Sequence, residues 1–230
     1  MSDVPDRSIR TYVLRAGRLT DAQKRALEEL GPRFCVPFDP SATLDAEAAF
    51  GRRAPLVAEI GFGMGQATWK IAEANPDVSY LGIEVHTPGV GRLLYELGSR
   101  GIENVRIVHY DAVEVMERMI APGSLAGIHL FYPDPWPKKR HHKRRIVRPG
   151  LAELLASRLE PGGYLYFVTD IEDYALWSLD VLSSTEGLRN RYELFAPAQE
   201  WRPETKFESH ASRDGRGRWE LVFEKGNRGP

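Results

Sequence analysis

From residue 54 onward, short apolar runs alternate with stretches of helical spacing. Leu56–Ile60 reads as a buried strand, Gly61–Gly65 as a tight turn, and Gln66–Ala74 as a helix ended by Asn75-Pro76. The pattern then repeats. Ser79–Val85 is a strand, Pro88 opens a helix that has Gly101 past its end, and Val105–Tyr110 is a third strand followed by a helix over Ala112–Met119. Gly127–Tyr132 is a fourth strand, Leu151–Leu159 a helix, Pro161-Gly162-Gly163 a turn and Tyr164–Thr169 a fifth strand; Trp219–Phe223 is strand-like. This alternation predicts an α/β, doubly wound, Rossmann-like domain with a mostly parallel sheet and right-handed crossovers. Upstream, Thr20-Asp-Ala-Gln23 has the spacing of a capping box. It opens a short helix with Ala22, Ala26, Leu27 and Leu30 on one face, which Gly31-Pro32 is expected to stop. Asp39–Arg53 shows no period and reads as a linker. The organisation expected is an N-terminal extension over 1–53 and a main domain over 54–230.

At 230 residues, with 42% hydrophobic and 27% charged positions, the chain suits one α/β domain with an appendage and excludes a disordered or fibrous protein. The single Cys35 makes no internal disulfide and no Cys/His spacing resembles a metal site, so neither a metal nor an oxidising compartment is expected. No apolar leader or membrane-length run is present, which gives a cytoplasmic expectation with no membrane partner. The formal charge of −1 hides a strong asymmetry. Lys138–Arg148 holds seven of the 31 Lys/Arg and no acid, leaving 24 basic against 32 acidic residues elsewhere. An acidic body with one cationic strip points to a local polyanion contact.

Ligands of doubly wound folds sit at the carboxyl ends of the strands. There Glu59 precedes Gly61, Gly63 and Gly65, whose spacing suits a nucleotide-like ligand; Gln66 stands where a dinucleotide fingerprint has Gly or Ala. Glu84 ends the second strand, where an acid binds ribose hydroxyls, and Asp111 ends the third, where it can accept from an adenine amino group. Glu59 is suited to an ammonium group. Each acid has a plain alternative as a helix cap or solvated loop residue.

The most specific segment runs from Phe131 to Arg145. Pro133, Pro135 and Pro137 forbid helix and hold Asp134 and Trp136 at the mouth of the fourth strand. Directly beyond, Lys138, Lys139, Arg140, His141, His142, Lys143, Arg144 and Arg145 form a cationic run that can neutralise several phosphates, against the alternative of a solvated charged face. Thr205-Lys206-Phe207-Glu208 forms a third constellation, with capping-box spacing as its structural alternative.

With these motifs in view the chain closely resembles the bacterial tRNA (guanine-N7-)-methyltransferase family. The resemblance is carried by Glu59–Gly65, Gly82–His86, Pro133–Arg145, Thr205–Glu208 and the opening Val13–Arg18. It implies a class I methyltransferase fold, S-adenosyl-L-methionine as cofactor and tRNA as partner, without metal, in a monomer or weak homo-oligomer. By the same resemblance Glu59, Gly61, Gly63, Gly65, Glu84, Asp111 and Asp134 bind the cofactor and Asp134 is catalytic. Lys138, Asp170 and Thr205, Lys206, Phe207 and Glu208 meet the substrate, and Arg140, His141, His142, Lys143, Arg144 and Arg145 contact RNA. Two departures stand out: Tyr132 stands where Phe is usual, and His210 stands where an Arg is usual, with His210 itself or Arg213 as the candidates for that Arg's place. Rival readings are a protein or small-molecule methyltransferase, a non-catalytic RNA-binding protein and a nicotinamide dehydrogenase.

Overall fold

A computed structural model describes residues 9–13, 17–204, 208 and 217–226. Seven strands form one sheet: β1 (Leu56–Ile60), β2 (Ser79–Ile83), β3 (Val105–Val108), β4 (Leu125–Phe131), β5 (Leu159–Thr169), β6 (Leu188–Asn190) and β7 (Trp219–Lys225), in the order β3-β2-β1-β4-β5-β7-β6. The first five pair in parallel, and β7 runs antiparallel to β5 and β6. The order reverses between β1 and β4. Neighbouring crossovers leave on opposite faces there, which opens a crevice at the carboxyl ends.

Side-chain alternation divides the core. Leu56, Ala58 and Ile60 of β1 pack with Leu81, Ile83, Ile128 and Leu130 under α5 (Ala112–Arg118), α6 (Leu151–Arg158) and α7 (Glu172–Ser183). Val57 faces the other way, with Tyr80, Val105 and Ile107, under α1 (Asp21–Phe34), α3 (Gln66–Ala74) and α4 (Thr87–Arg100). Glu59 lies on this second face, in register with Gly82 and His129. The antiparallel end of the sheet carries a smaller cluster built on Tyr166, Val168, Ala196 and Val222.

Three expectations change. The capping box of α1 is present, with Thr20 and Gln23 bonding reciprocally, but the helix runs through Gly31-Pro32 to Phe34. The last turn buries Phe34 to 1% exposure, and Cys35 and Val36 then pair with the β3 edge at Ile107, so tertiary packing outweighs the helix-breaking dipeptide. The expected linker contains a short helix, α2 (Ala46–Phe50), capped by the Asp45 side chain and closed by left-handed Gly51. The Pro161-Gly162-Gly163 turn falls inside β5, where the register with β4 shifts between Leu125 and Gly127.

Candidate active site

Gly61, Gly63 and Gly65 all have left-handed φ values, 72°, 58° and 72°. A Cβ added at Gly61 or Gly63 would meet no protein atom within 4 Å, so the turn opens onto free space that only side-chain-free residues leave vacant. The turn is tied from below by Glu84. One of its oxygens accepts from the Gly63 amide at 2.8 Å, and the other accepts from Val85 and His86 at 2.7 and 2.9 Å. Glu84 therefore splints the turn to the end of β2, with lone-pair capacity remaining for a ligand hydroxyl. Asp111 caps α5, its Oδ1 accepting from the Val113 and Glu114 amides, so the cap alternative raised by the sequence is realised. Tyr12, at the near end of the chain, sits beside it; burial, then the Asp111 charge, raises the phenol pKa.

Glu59 is buried, 3% exposed, and its pKa is raised to about 7. Burial is the main cause. The Glu84 carboxylate adds to it, and the Thr68 hydroxyl and Arg202 guanidinium pull the other way. Its β4 neighbour His129 is pushed down to about 3, first by burial and then by Arg202, and its Nε2 lies 2.9 Å from the Tyr164 hydroxyl. Burial thus keeps the His129 imidazole neutral and opposes ionisation of Glu59 beside it.

Asp134 is half-buried in the loop that leaves β4. The three prolines stiffen that loop, and tertiary contacts fix its conformation. Tyr132 and Trp136 both have left-handed φ, 50° and 44°, a costly conformation for bulky residues unless neighbours impose it. They do so here. The Tyr132 amide donates to the Val168 carbonyl at 2.8 Å and its hydroxyl to Glu208 at 2.6 Å, while the Trp136 indole donates to the Thr11 carbonyl at 3.1 Å. Asp170 is half-buried at the end of β5, just before α7.

The cationic run forms a 3-10 helix, Lys139–Arg144, directly after the loop. Lys138, Lys139, Arg140 and Lys143 are exposed. His141 and Arg144 pack on Trp136, with ring centroids 6.0 Å apart for the first and the guanidinium 4.9 Å over the ring for the second, and His142 packs on Trp177. Arg145 corrects the sequence reading. It is fully buried, donates to the Pro135 carbonyl and to Asp173, and does not face solvent, so it is not an RNA contact.

Thr205, Lys206 and Phe207, like His210 and Arg213, lie outside the described residues. Glu208 is described and buried, and it accepts from Tyr132 and from Arg202. Sequence reasoning missed the network around it. Arg202 also donates to the Tyr166 hydroxyl at 3.1 Å, Tyr166 donates to Glu220, and Arg218 pairs with Glu220 at 2.8 Å and with Glu208 at 3.6 Å. Two arginines and two glutamates thus form one ion-pair network, which the Tyr132 hydroxyl joins through Glu208. Among the described residues, no group of three His, Cys, Asp or Glu could hold a metal ion and no helix is long and apolar enough to cross a membrane.

A glycine turn splinted by a strand-end carboxylate at the switch point of a doubly wound sheet defines the class, and the comparisons agree with it. A family profile described as "Putative methyltransferase" matches residues 53–221. Solved structures share the fold. The 16S rRNA methyltransferase KamB superimposes with a TM-score of 0.58 at 14% identity, over 80% of this chain and 95% of that one. A variant of the 16S rRNA (adenine(1408)-N(1))-methyltransferase from Catenulisporales acidiphilia, solved with its cosubstrate, gives 0.57 at 17% identity, over 84% and 94%.

Curated relatives narrow the class. The protein named tRNA (guanine-N(7)-)-methyltransferase in Thiobacillus denitrificans is 54% identical over 94% of this chain and 95% of its own. The protein of that name in Paraburkholderia xenovorans is 53% identical over 95% and 84%. The chain belongs to the tRNA (guanine-N7-)-methyltransferase family.

Proposed function

We propose that the protein transfers the methyl group of S-adenosyl-L-methionine to N7 of a guanine in the variable loop of tRNA, in the cytoplasm, as a monomer or weak homo-oligomer. One observation carries the reading. The half-buried Asp134 sits in a braced loop that leaves β4, the strand beside β1 and its open glycine turn, and is contiguous with an exposed row of cations.

The residues present fit the cofactor. The turn leaves open space at Gly61 and Gly63 that a side chain would fill, and Glu59 is a buried carboxyl on the strand that enters the turn. In this reading Glu59 faces the ammonium group, Glu84 the ribose hydroxyls and Asp111 the adenine amino group. The cofactor, when bound, supplies an electrophilic methyl group.

Guanine N7 presents a lone pair on the major-groove edge and reacts without first losing a proton, so the protein needs no general base. Methylation leaves the purine ring cationic. Asp134 lies against the guanine and offsets the positive charge as it develops, a contribution realised most fully in the transition state. Asp170 accepts from the guanine ring and amino N–H groups, which selects against adenine. With Oε1 committed to Tyr132 and Arg202, Glu208 tethers the segment that carries Thr205, Lys206 and Phe207 to the substrate. Lys138 and the outward cations Lys139, Arg140, Lys143 and Arg144, with His141 and His142, dock the tRNA backbone, which fixes register and adds little base discrimination.

The test is direct. Unmodified tRNA is incubated with the protein and labelled S-adenosylmethionine, and the label is mapped by strand cleavage specific for N7-methylguanine. A single cleavage site in the variable loop is expected. Label at another base atom, or none, overturns the proposal.

A further inference from the structure

The fold separates the cationic run into two populations. Most of its members meet solvent, but Arg145 has no exposed surface. A buried guanidinium is costly unless it is paired and hydrogen-bonded, so its partners show what holds it inside. Nε donates to the Pro135 carbonyl at 2.9 Å and Nη2 to Asp173 Oδ2 at 2.5 Å. The guanidinium also lies 4.8 Å from the Tyr174 ring and 5.2 Å from that of Trp177.

Asp173, Tyr174 and Trp177 all belong to α7, and the two rings grip the chain again just past the run. The Trp177 indole donates to the Val147 carbonyl at 2.7 Å, and the Tyr174 hydroxyl accepts from the Val147 amide at 3.3 Å. Arg145 is thus braced by a core helix and reaches back ten positions to the residue that follows Asp134. Pro135 has no N–H, so its carbonyl is the one backbone group by which the fold can hold it. It stands between the left-handed Tyr132 and Trp136, in a loop that persists only while its surroundings determine it.

We propose that Arg145, although it reads as part of the RNA-binding run, is a positioning residue for Asp134. By fixing the Pro135 carbonyl against α7 it makes the reactive loop and the outward cations one rigid piece, so that tRNA docked on the run presents its guanine to a carboxylate already in place. The inference rests on the roles proposed above for Asp134 and for the outward cations.

The experiment compares Arg145→Met, Arg145→Lys and Asp173→Asn with Lys143→Ala in steady-state methylation, with the salt dependence of tRNA binding and calorimetric cofactor affinity measured alongside. Misplacing a reacting group by about 1 Å costs on the order of a hundredfold. Arg145→Met is expected to lower kcat at saturating tRNA by about tenfold to a hundredfold, leaving KM for tRNA, the salt slope and cofactor affinity near wild type. Arg145→Lys, which keeps the charge but reaches one acceptor, should recover part of the loss. Asp173→Asn, altered at a largely exposed carboxylate, should lower kcat by a smaller factor with no change in slope. Lys143→Ala should instead raise KM and flatten the slope. Wild-type kcat in Arg145→Met, unchanged kcat in Asp173→Asn, or a flattened salt slope in Arg145→Met would each overturn the inference. Failure of the underlying reading shows separately, as a wild-type protein that does not methylate tRNA.

Discussion

With Glu59 as the proposed partner of the cofactor's ammonium group, cofactor binding should depend on pH. The Glu59 carboxyl is raised to about 7 from an ordinary 4.5, mainly by burial at the end of a strand in the sheet centre. In the folded protein without ligand it therefore keeps its proton to neutral pH, whereas in the unfolded chain it loses it near 4.5. Its contribution to stability is fully present below pH 4.5 and is lost as pH rises through 7. The total is on the order of 3 kcal/mol, because each pH unit between those two values is worth about 1.4 kcal/mol. On the proposed pairing, cofactor binding has the opposite sign, because the ligand's ammonium would meet the ionised form. Affinity should weaken about tenfold for each unit that pH falls below about 7 and level off above it. Calorimetric titration with S-adenosylhomocysteine, which carries the same ammonium and no reactive methyl, reads this between about pH 5.5 and 8.5, a range that brackets the folded-state value. Glu59→Gln should bind more weakly on the alkaline side and lose the slope. Wild-type affinity that is flat across this range, or an equal slope in Glu59→Gln, would refute the assignment of Glu59 to the ammonium.

Three further outcomes are expected. Replacing Lys139, Arg140 and Lys143 by alanine should reduce the slope of log affinity against log salt by about 0.7–0.9 for each phosphate no longer neutralised, measured by filter binding; an unchanged slope would remove the run from the RNA interface. Arg202→Met removes the closest cation of buried Glu208 and leaves Glu220 with Arg218 alone and should cost about 3–5 kcal/mol in urea denaturation, against at most about 1 kcal/mol for Arg53→Ala at an exposed pair. Asp111→Ala removes the α5 cap and should cost about 0.5–2 kcal/mol, in addition to any loss in cofactor affinity.

The parts of the molecule legible in the sequence are those governed by local periodicity. β1, its glycine turn, α3 and β2 follow from apolar runs and punctuation, and their alternation gives a mostly parallel sheet with right-handed crossovers. Where long-range packing decides, the sequence is silent. Gly31-Pro32 looks like a stop until Phe34 is seen to be buried beyond it. Asp111 fits a ligand role and a cap equally well by residue type, and only the geometry shows the cap. Within the cationic run, charge and spacing treat all members alike. What turns Arg145 inward is α7, whose Asp173, Tyr174 and Trp177 carry no motif. The Arg202–Glu208–Glu220–Arg218 network is made by tertiary contact, and no local pattern announces it. The left-handed Tyr132 and Trp136 are likewise invisible in sequence, since residue type argues against that conformation at both.

The central claim is that a carboxylate held at the mouth of β4 offsets the charge that guanine gains on methylation. Single-turnover methylation by Asp134→Asn, at saturating cofactor and tRNA, tests it most directly. The account predicts a rate lower by about a hundredfold to a thousandfold, the usual effect of removing one group aimed at developing charge, with tRNA affinity little changed. A rate equal to that of the wild type would contradict it.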